Sequence, residues 1–168
     1  MKSVTRLISV AFSVLFICLS GFVLTGCGEE KSAAPPAINI QQIDPSNQQA
    51  FVRQMAGHYV LLSNQLRNQY LEFKAADDAD GFVLYRNMRW TPEYIEIKTA
   101  YEKVFHDQKA YIYRQQLDGL FELFFGLHKL SVHLKHSLLE KDETLEQQVL
   151  EKLIKDQAEV STYLLRAP

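Results

Sequence analysis

The feature that most constrains the fold is a stretch of some fifty residues, Thr91 to Lys141, in which a helical pattern persists without a strong breaker. Within it, one set of residues recurs at alternating steps of three and four, the spacing of a coiled-coil-like seam. This set, the seam, comprises Leu117, Leu120, Phe124, Leu127, Ser131, Leu134 and Leu138. Its flanks are widened by Phe121, Phe125, His128, Val132 and Leu139. The pattern predicts a central helix that is buried on more than one side.

A single rod of this length would reach ~75 Å, which a compact domain cannot easily use. We therefore expect either one bent helix or two helices meeting between Lys109 and Gly119, and the second arrangement is favoured. Thr91, Pro92 and Glu93 predict the start of this region, because threonine caps and proline suits the first helical position. The inward stripe that follows is Tyr94, Ile97, Tyr101, Val104 and Phe105. Gly119 and Gly126 each lower helix propensity by ~1 kcal/mol, which predicts close helix packing.

Similar patterns predict a first and a last helix. The first should begin near Asp44, Pro45 and Ser46 and end near Ala76, where the acidic run 77–81 predicts a turn. That run is not a calcium loop, because Met88 stands where the twelfth-position glutamate is needed. The inward residues of the first helix are Phe51, Met55, Tyr59, Leu62, Leu66, Tyr70 and Phe73. Residues 82–90 should form a brief helix or an ordered crossing.

After a turn at residues 141–144, the last helix should run from Glu143 to Leu165. Its inward residues are predicted to be Leu145, Val149, Leu153, Ile154, Val160 and Leu164. No convincing strand alternation and no internal repeat occurs in the sequence. The chain is therefore predicted to be all-α, a bundle of three or four helices behind a flexible N-terminal tether.

The N-terminus has a different character from the rest of the chain. A short basic start, with Lys2 and Arg6, precedes an uncharged apolar run from residue 7 to residue 24, which is typical of a secretory signal. The run ends in Leu24, Thr25, Gly26 and Cys27. These four residues resemble the lipobox of bacterial lipoproteins.

The lipobox resemblance implies a sequence of processing steps. The Cys27 thiol would receive a diacylglyceryl group, the chain would be cut after Gly26, and the new amino group would be acylated. Residues 1–26 are then the signal peptide, 27–44 the acylated cysteine and flexible linker, and 45–168 the bundle domain. An uncleaved membrane anchor is the alternative, since eighteen apolar residues are at the short limit for a span.

The resemblance also implies a location. In the enteric pattern, aspartate after the acylated cysteine retains a lipoprotein at the inner membrane, and residue 28 is glycine. We therefore expect the outer membrane, with the domain facing the periplasm; the inner membrane and the cell surface remain alternatives. Residues 28–44 would form a tether of ~20–25 Å, and Ile38, Ile40 and Ile43 are its mildly apolar exceptions.

Charge and cysteine content exclude several functions. Both cysteines lie within the first 27 residues, so the mature domain can form neither a disulfide nor a cysteine-based metal site. All 20 acidic residues follow Gly26, whereas two of the 18 Lys and Arg precede it, which gives the mature chain a net charge of −4. An acidic chain without a basic block is a poor candidate for nucleic-acid binding.

Candidate chemistry is sparse. His133 and His136 lie about 60° apart on a helix and could share a metal, but His128 lies about 140° from His133 and cannot join them. A third ligand would have to be His58, His106 or a carboxylate such as Glu140. Solvated histidines beside the seam are the favoured interpretation, so no metal or cofactor is predicted. No catalytic motif occurs, and the chain is predicted not to be an enzyme.

The aromatic and basic residues of segment 82–90 are the most suggestive feature of the domain. Tyrosine, tryptophan and arginine dominate binding hot spots, although they also fill bundle cores. Tyr85, Arg86, Arg89 and Trp90 are therefore the predicted partner surface. The expected function is that of a non-enzymatic lipoprotein that binds another envelope protein as an assembly or accessory factor, comparable to pilotins in size and architecture only. A small-ligand or metal-binding bundle and a lipidated enzyme without a known motif are the alternatives.

Overall fold

The computed structural model describes residues 40–166, except for the side chain of Arg166, and this part is all-α with no strand. The helices are α1 (Gln48–Ala75), α2 (Ala79–Tyr85), a π-helical turn (Arg86–Trp90), α3 (Thr91–Asp107), α4 (Lys109–Arg114), α5 (Asp118–Glu140) and α6 (Glu143–Arg166). Four of them are long and two are short, which confirms the predicted bundle. The predicted signal peptide, Cys27, Ile38 and most of the tether lie outside the described residues.

Helix α1 begins at Gln48, two residues after the predicted start, and Asp44 stabilises the turn that leads into it. The Asp44 carboxylate accepts hydrogen bonds from the backbone amides of Ser46 at 2.7 Å and Asn47 at 3.1 Å. Just before it, Ile43 is buried in the core, and its backbone N–H and C=O both bond to the side-chain amide of Gln108, at 2.7 and 2.8 Å. Ile40 is partly buried against the same core. The end of the predicted linker is thus packed on the bundle.

The turn after α1 is shorter than predicted. Asp77 adopts a left-handed conformation with φ of 52°, and the Asp78 carboxylate accepts a 2.8 Å hydrogen bond from the Gly81 amide. Residues 79–81 are therefore the first turn of α2 and not part of the connection. Gly81 is needed here, because a Cβ atom would clash with the Asp78 carboxylate and lie 2.7 Å from the Phe73 ring.

Thr91 does not cap α3 as predicted. The chain is already helical at Trp90, so the π-helical turn passes directly into α3, and the Thr91 amide donates to the carbonyl oxygen of Arg86. The Thr91 hydroxyl is buried without a hydrogen-bond partner in the described chain. Pro92 has no backbone N–H and so cannot donate a hydrogen bond to the preceding turn. That preceding turn is the π-helical one, which is wider than an α-helical turn.

The long helical region divides where expected. Helix α3 ends at Asp107, the short α4 follows, and Gln116 adopts a left-handed conformation with φ of 55° just before α5. The favoured prediction of two helices is confirmed, and α4, anchored by buried Ile112, is an addition that the sequence did not predict. The inward residues Tyr94, Ile97, Tyr101 and Val104 of α3 are all buried.

Helix α5 is the central element, as predicted, and it packs against α1, α2, α3 and α6. The seam residues from Leu117 to Leu134 are buried, and Leu138 is partly buried. Leu139 is an error of the prediction, because it is exposed. Gly119 does provide close packing, since a Cβ there would clash with the Tyr163 hydroxyl of α6, whereas Gly126 has open space beside it.

Helix α6 buries most of the stripe that was predicted. Val149, Leu153 and Val160 are buried and Leu145 is partly buried, whereas the prediction was wrong for Ile154 and Leu164, which are exposed. Asp156 is also buried, and the steps of four, three and four from Val149 to Val160 keep one face inward. A carboxylate therefore occupies one of the core-facing positions of α6. None of the helices in the described range is long and apolar enough to cross a membrane.

Candidate functional site

The π-helical turn determines which side chains of segment 82–90 reach the surface. Arg86 and Trp90 are buried, at 6% and 0% exposure, whereas Leu84 and Met88 are 64% and 69% exposed. Arg89 is exposed and Tyr85 is partly buried. The predicted partner surface of four residues is therefore divided, and Tyr85 and Arg89 are the two of them that reach the surface of the domain.

Trp90 is a core residue. Its indole N–H donates a 2.9 Å hydrogen bond to the carbonyl oxygen of Leu62 in α1, and its ring stacks on Tyr94 with centroids 5.1 Å apart. Tyr94 in turn stacks on Phe124, and its hydroxyl donates to the carbonyl oxygen of Phe125 at 2.9 Å. These contacts join α1, α3 and α5. Trp90 therefore anchors the π-helical turn to the bundle and is not itself part of an exposed binding surface.

An open groove of about 600 Å³ lies between α1 and the segment formed by α2 and the π-helical turn. This groove, the α1–α2 groove, is lined by Gln65, Asn68, Gln69, Phe73, Gly81, Leu84, Tyr85 and Arg89. Phe73 and Tyr85 form its aromatic wall, with ring centroids 6.2 Å apart. The groove thus combines apolar and aromatic surface with amide groups and one charged residue.

The polar groups of the α1–α2 groove are suited to binding. The Gln65 side-chain carbonyl oxygen is buried and accepts no hydrogen bond from the described residues. Burial raises the pKa of Tyr85, so its hydroxyl remains a neutral donor. Arg89 is the charged lining residue, and it forms no ion pair with the described carboxylates. The groove therefore offers an unpaired acceptor, a donor and a cation.

On another face of the same turn, Arg86 points into the bundle. Its Nε donates to the Ser131 hydroxyl at 3.1 Å, its Nη1 to the Asn87 side chain at 2.9 Å, and its Nη2 lies 3.3 Å from His128 Nε2. Burial lowers the pKa of His128, and the positive charges of Arg86 and Lys98 lower it further. His128 is therefore neutral near pH 7, and its Nε2 can accept a hydrogen bond from Arg86.

A second, smaller groove of about 260 Å³ lies between α5 and α6. Its polar lining is Glu122, Lys152, Asp156 and Glu159, and open space beside Gly126 widens it. Asp156 is 3% exposed and pairs with Lys152 at 2.8 Å, one turn earlier in the same helix. Sequence analysis missed this residue, because a carboxylate at a core position breaks the apolar pattern used to find the core.

The histidines do not converge on a metal site. His128 contacts Arg86, and His58 Nδ1 lies 2.9 Å from the Tyr101 hydroxyl on α3. His106 is exposed near Asp107, and His136 is exposed on α5. Within residues 40–166, no group of three histidine, cysteine or acidic side chains could hold a metal ion.

Comparisons with protein-family models, with curated proteins and with solved structures find no match for this chain.

Proposed function

We propose that this protein is a non-enzymatic, lipid-anchored envelope lipoprotein whose bundle binds another envelope protein through the α1–α2 groove. The observation that carries the proposal is the exposure of Leu84 in the lining of a groove with an aromatic wall, with Met88 exposed four residues further along the chain. Large apolar side chains that are kept in water at the edge of a concavity are typical of protein-binding surfaces. The lipobox at residues 24–27 supports the anchoring part of the proposal.

The lining of the groove indicates the chemistry of the partner. Phe73, Leu84 and Tyr85 fit an apolar side chain, and the flexible thioether of Met88, exposed next to Arg89 in the chain, can add to that contact. Arg89 complements a carboxylate, because it is the charged lining residue and no described carboxylate forms an ion pair with it. The unpaired Gln65 oxygen can accept a backbone N–H of the partner. The proposed ligand is a protein segment with an acidic residue beside an apolar anchor.

A matched pair of charge substitutions tests this proposal. Leu84 and Ile154 are both exposed leucine-sized residues, at 64% and 56%, but Ile154 lies on α6 and does not line the groove. A photo-crosslinking residue at position 88 should capture one defined envelope protein in cells. Leu84→Glu should reduce that crosslink at least tenfold, whereas Ile154→Glu should leave it unchanged. Equal crosslinking in both variants would contradict a role for the groove.

A crosslinker at position 154 provides the background. If the crosslinker at position 88 captures no envelope protein in higher yield than this background, partner binding through the α1–α2 groove is rejected. Circular dichroism of both variants should show the wild-type helical content, because each substituted side chain is largely in solvent.

A further inference from the structure

Arg86 carries a positive charge in a buried position where no described carboxylate pairs with it. It is 6% exposed, and its three hydrogen-bonding neighbours, Ser131, Asn87 and His128, are all neutral groups. Among residues 40–166, no carboxylate lies within ion-pairing distance of its guanidinium. Burial lowers the pKa of Arg86, and no acidic group opposes that effect.

Such an arrangement is energetically unusual. Moving an ionised group out of water is costly unless a counter-charge and a full set of hydrogen bonds compensate it. A guanidinium has five N–H donors, and the three bonds of Arg86 use three of them. Two N–H donors are thus left for another acceptor. The position of the cation is fixed by the π-helical turn and by α5, so the donors are held in place before any ligand arrives.

The carboxylates of this region do not pair with Arg86. Glu102 is engaged by Lys98 one turn earlier in α3, and the charge of Glu93 acts on the Tyr85 hydroxyl. Arg86 and Lys98 both act as positive charges on His128, which Arg86 contacts. Arg86 is therefore without a counter-ion among the described residues.

We propose that Arg86 is the anchor of an oxyanion-binding site, which takes a carboxylate or phosphate group and is entered past Asn87. Asn87 is exposed, and its side-chain oxygen holds Arg86 Nη1 at 2.9 Å. A charged oxygen forms a shorter and stronger hydrogen bond to guanidinium than a neutral amide does, so it can replace Asn87 as the acceptor. His128 and Ser131 keep the guanidinium oriented during this exchange. The site is independent of the α1–α2 groove and of the function proposed for it.

The competing interpretation is that Arg86 is a structural residue whose needs are met by its neutral neighbours. The two interpretations differ for Arg86→Met, which keeps the packing of the side chain but removes the charge. A buried charge without a counter-ion is expected to cost stability, so its removal should be neutral or stabilising in a buffer that lacks oxyanions. If Arg86 is instead structural, the same change should be clearly destabilising.

The experiment uses the full chain in neutral detergent, with chloride adjusting the ionic strength. Inorganic phosphate and acetate are the two probes, and the melting temperature and calorimetric titration are the readouts. At least one probe should raise the melting temperature of the wild-type protein beyond the effect of chloride. Arg86→Met should weaken that binding at least tenfold, whereas Arg53→Met, an exposed arginine of α1, should leave it unchanged. A response to acetate identifies the ligand as a carboxylate, and a response to phosphate identifies a phosphate group.

Asn87→Ala keeps the proposal testable if Arg86→Met does not fold. Asn87 is exposed, so its truncation is expected to preserve the bundle, and loss of the competing amide should make oxyanion binding severalfold tighter. No response of the wild-type protein to either probe would overturn the proposal. So would equal binding by the wild-type protein and Arg86→Met, or an Asn87→Ala protein whose affinity is unchanged.

Discussion

The Trp90 indole N–H donates to the carbonyl oxygen of Leu62 at 2.9 Å, and this hydrogen bond joins the end of the π-helical turn to the middle of α1. It keeps the turn against the bundle while Leu84 and Met88, on its other side, remain in solvent.

Replacing Trp90 with phenylalanine should destabilise the domain by about 2–3 kcal/mol, because a buried hydrogen bond is lost and a cavity is left. The free energy of unfolding from urea titration measures this loss. Met88→Ala, at a site that is 69% exposed, should change the same quantity by less than about 0.5 kcal/mol. A Trp90→Phe protein as stable as the wild type would show that the anchor is not needed.

Two glycine substitutions should have effects of opposite sign. Gly81→Ala should destabilise by about 1–3 kcal/mol, because the new methyl group would displace the Asp78 cap and press on Phe73. Gly126→Ala, in the middle of α5 with open space around it, should stabilise by about 0.5–1 kcal/mol. Thermal unfolding of the two variants compares them directly, and a shift in the same direction for both would contradict this account.

A pair of buried tyrosines predicts another contrast. The Tyr59 hydroxyl lies near the buried Asp156 carboxylate but makes no hydrogen bond of good geometry within the described residues. Burial raises the pKa of Tyr59, and the negative charge of Asp156 and a poorly aligned contact with it raise it further. Removing this hydroxyl with Tyr59→Phe should be neutral or stabilising. Tyr94→Phe should instead cost about 1 kcal/mol, because its hydroxyl bonds the Phe125 carbonyl oxygen. Urea midpoints distinguish the two variants, and a larger loss for Tyr59→Phe would refute the assignment.

Stability should fall as the pH is lowered from about 7.5 to about 5.5. Burial lowers the pKa of both His58 and His128 in the folded protein, and Arg86 and Lys98 also contribute at His128. The unfolded chain regains the ordinary pKa of 6.5, so below that value it binds more protons than the folded chain and is favoured.

The urea midpoint at the two ends of this range measures the effect. The His58→Gln/His128→Gln double variant should show a smaller drop, because glutamine carries no titratable group. Asp44 and Asp107 do not contribute here, because hydrogen bonds, from Ser46 and Lys103 first, lower their pKa values from 3.8. If the urea midpoint falls equally in the wild type and the double variant, groups other than His58 and His128 cause the pH dependence.

On the proposed lipobox assignment, Cys27→Ala should abolish lipid attachment and leave the precursor uncut, because Cys27 would be the acceptor thiol. Metabolic labelling with a palmitate analogue measures attachment, and label on the mutant protein would exclude the assignment. In a host with two membranes, the wild-type protein should band with the outer membrane on a density gradient. Gly28→Asp should then move it to the inner membrane, and a wild-type protein already found there would contradict the sorting prediction.

Much of the fold follows from local features of the sequence. The hydrogen-bonding role of Asp44 just before α1, the division between α3 and α5 and the central position of α5 were all predicted, because capping residues and apolar spacing act over a few neighbouring residues. The same reasoning was wrong at Ile154 and Leu164, which are exposed although both are apolar. There, only the orientation of the whole helix decides which residue is buried.

The candidate site shows the same division. The sequence by itself indicated a resemblance to a lipobox at residues 24–27 and drew attention to segment 82–90, because both depend on residue types at fixed spacings. Only the tertiary structure decided that Arg86 and Trp90 turn inward while Tyr85 and Arg89 line a groove, because the π-helical turn and the packing on Leu62 and Ser131 set their directions. The surroundings of Arg86 depend on contacts with residues more than 40 positions away in the chain. The burial of Asp156 depends on the orientation of α6 as a whole. Local sequence patterns contain neither kind of information.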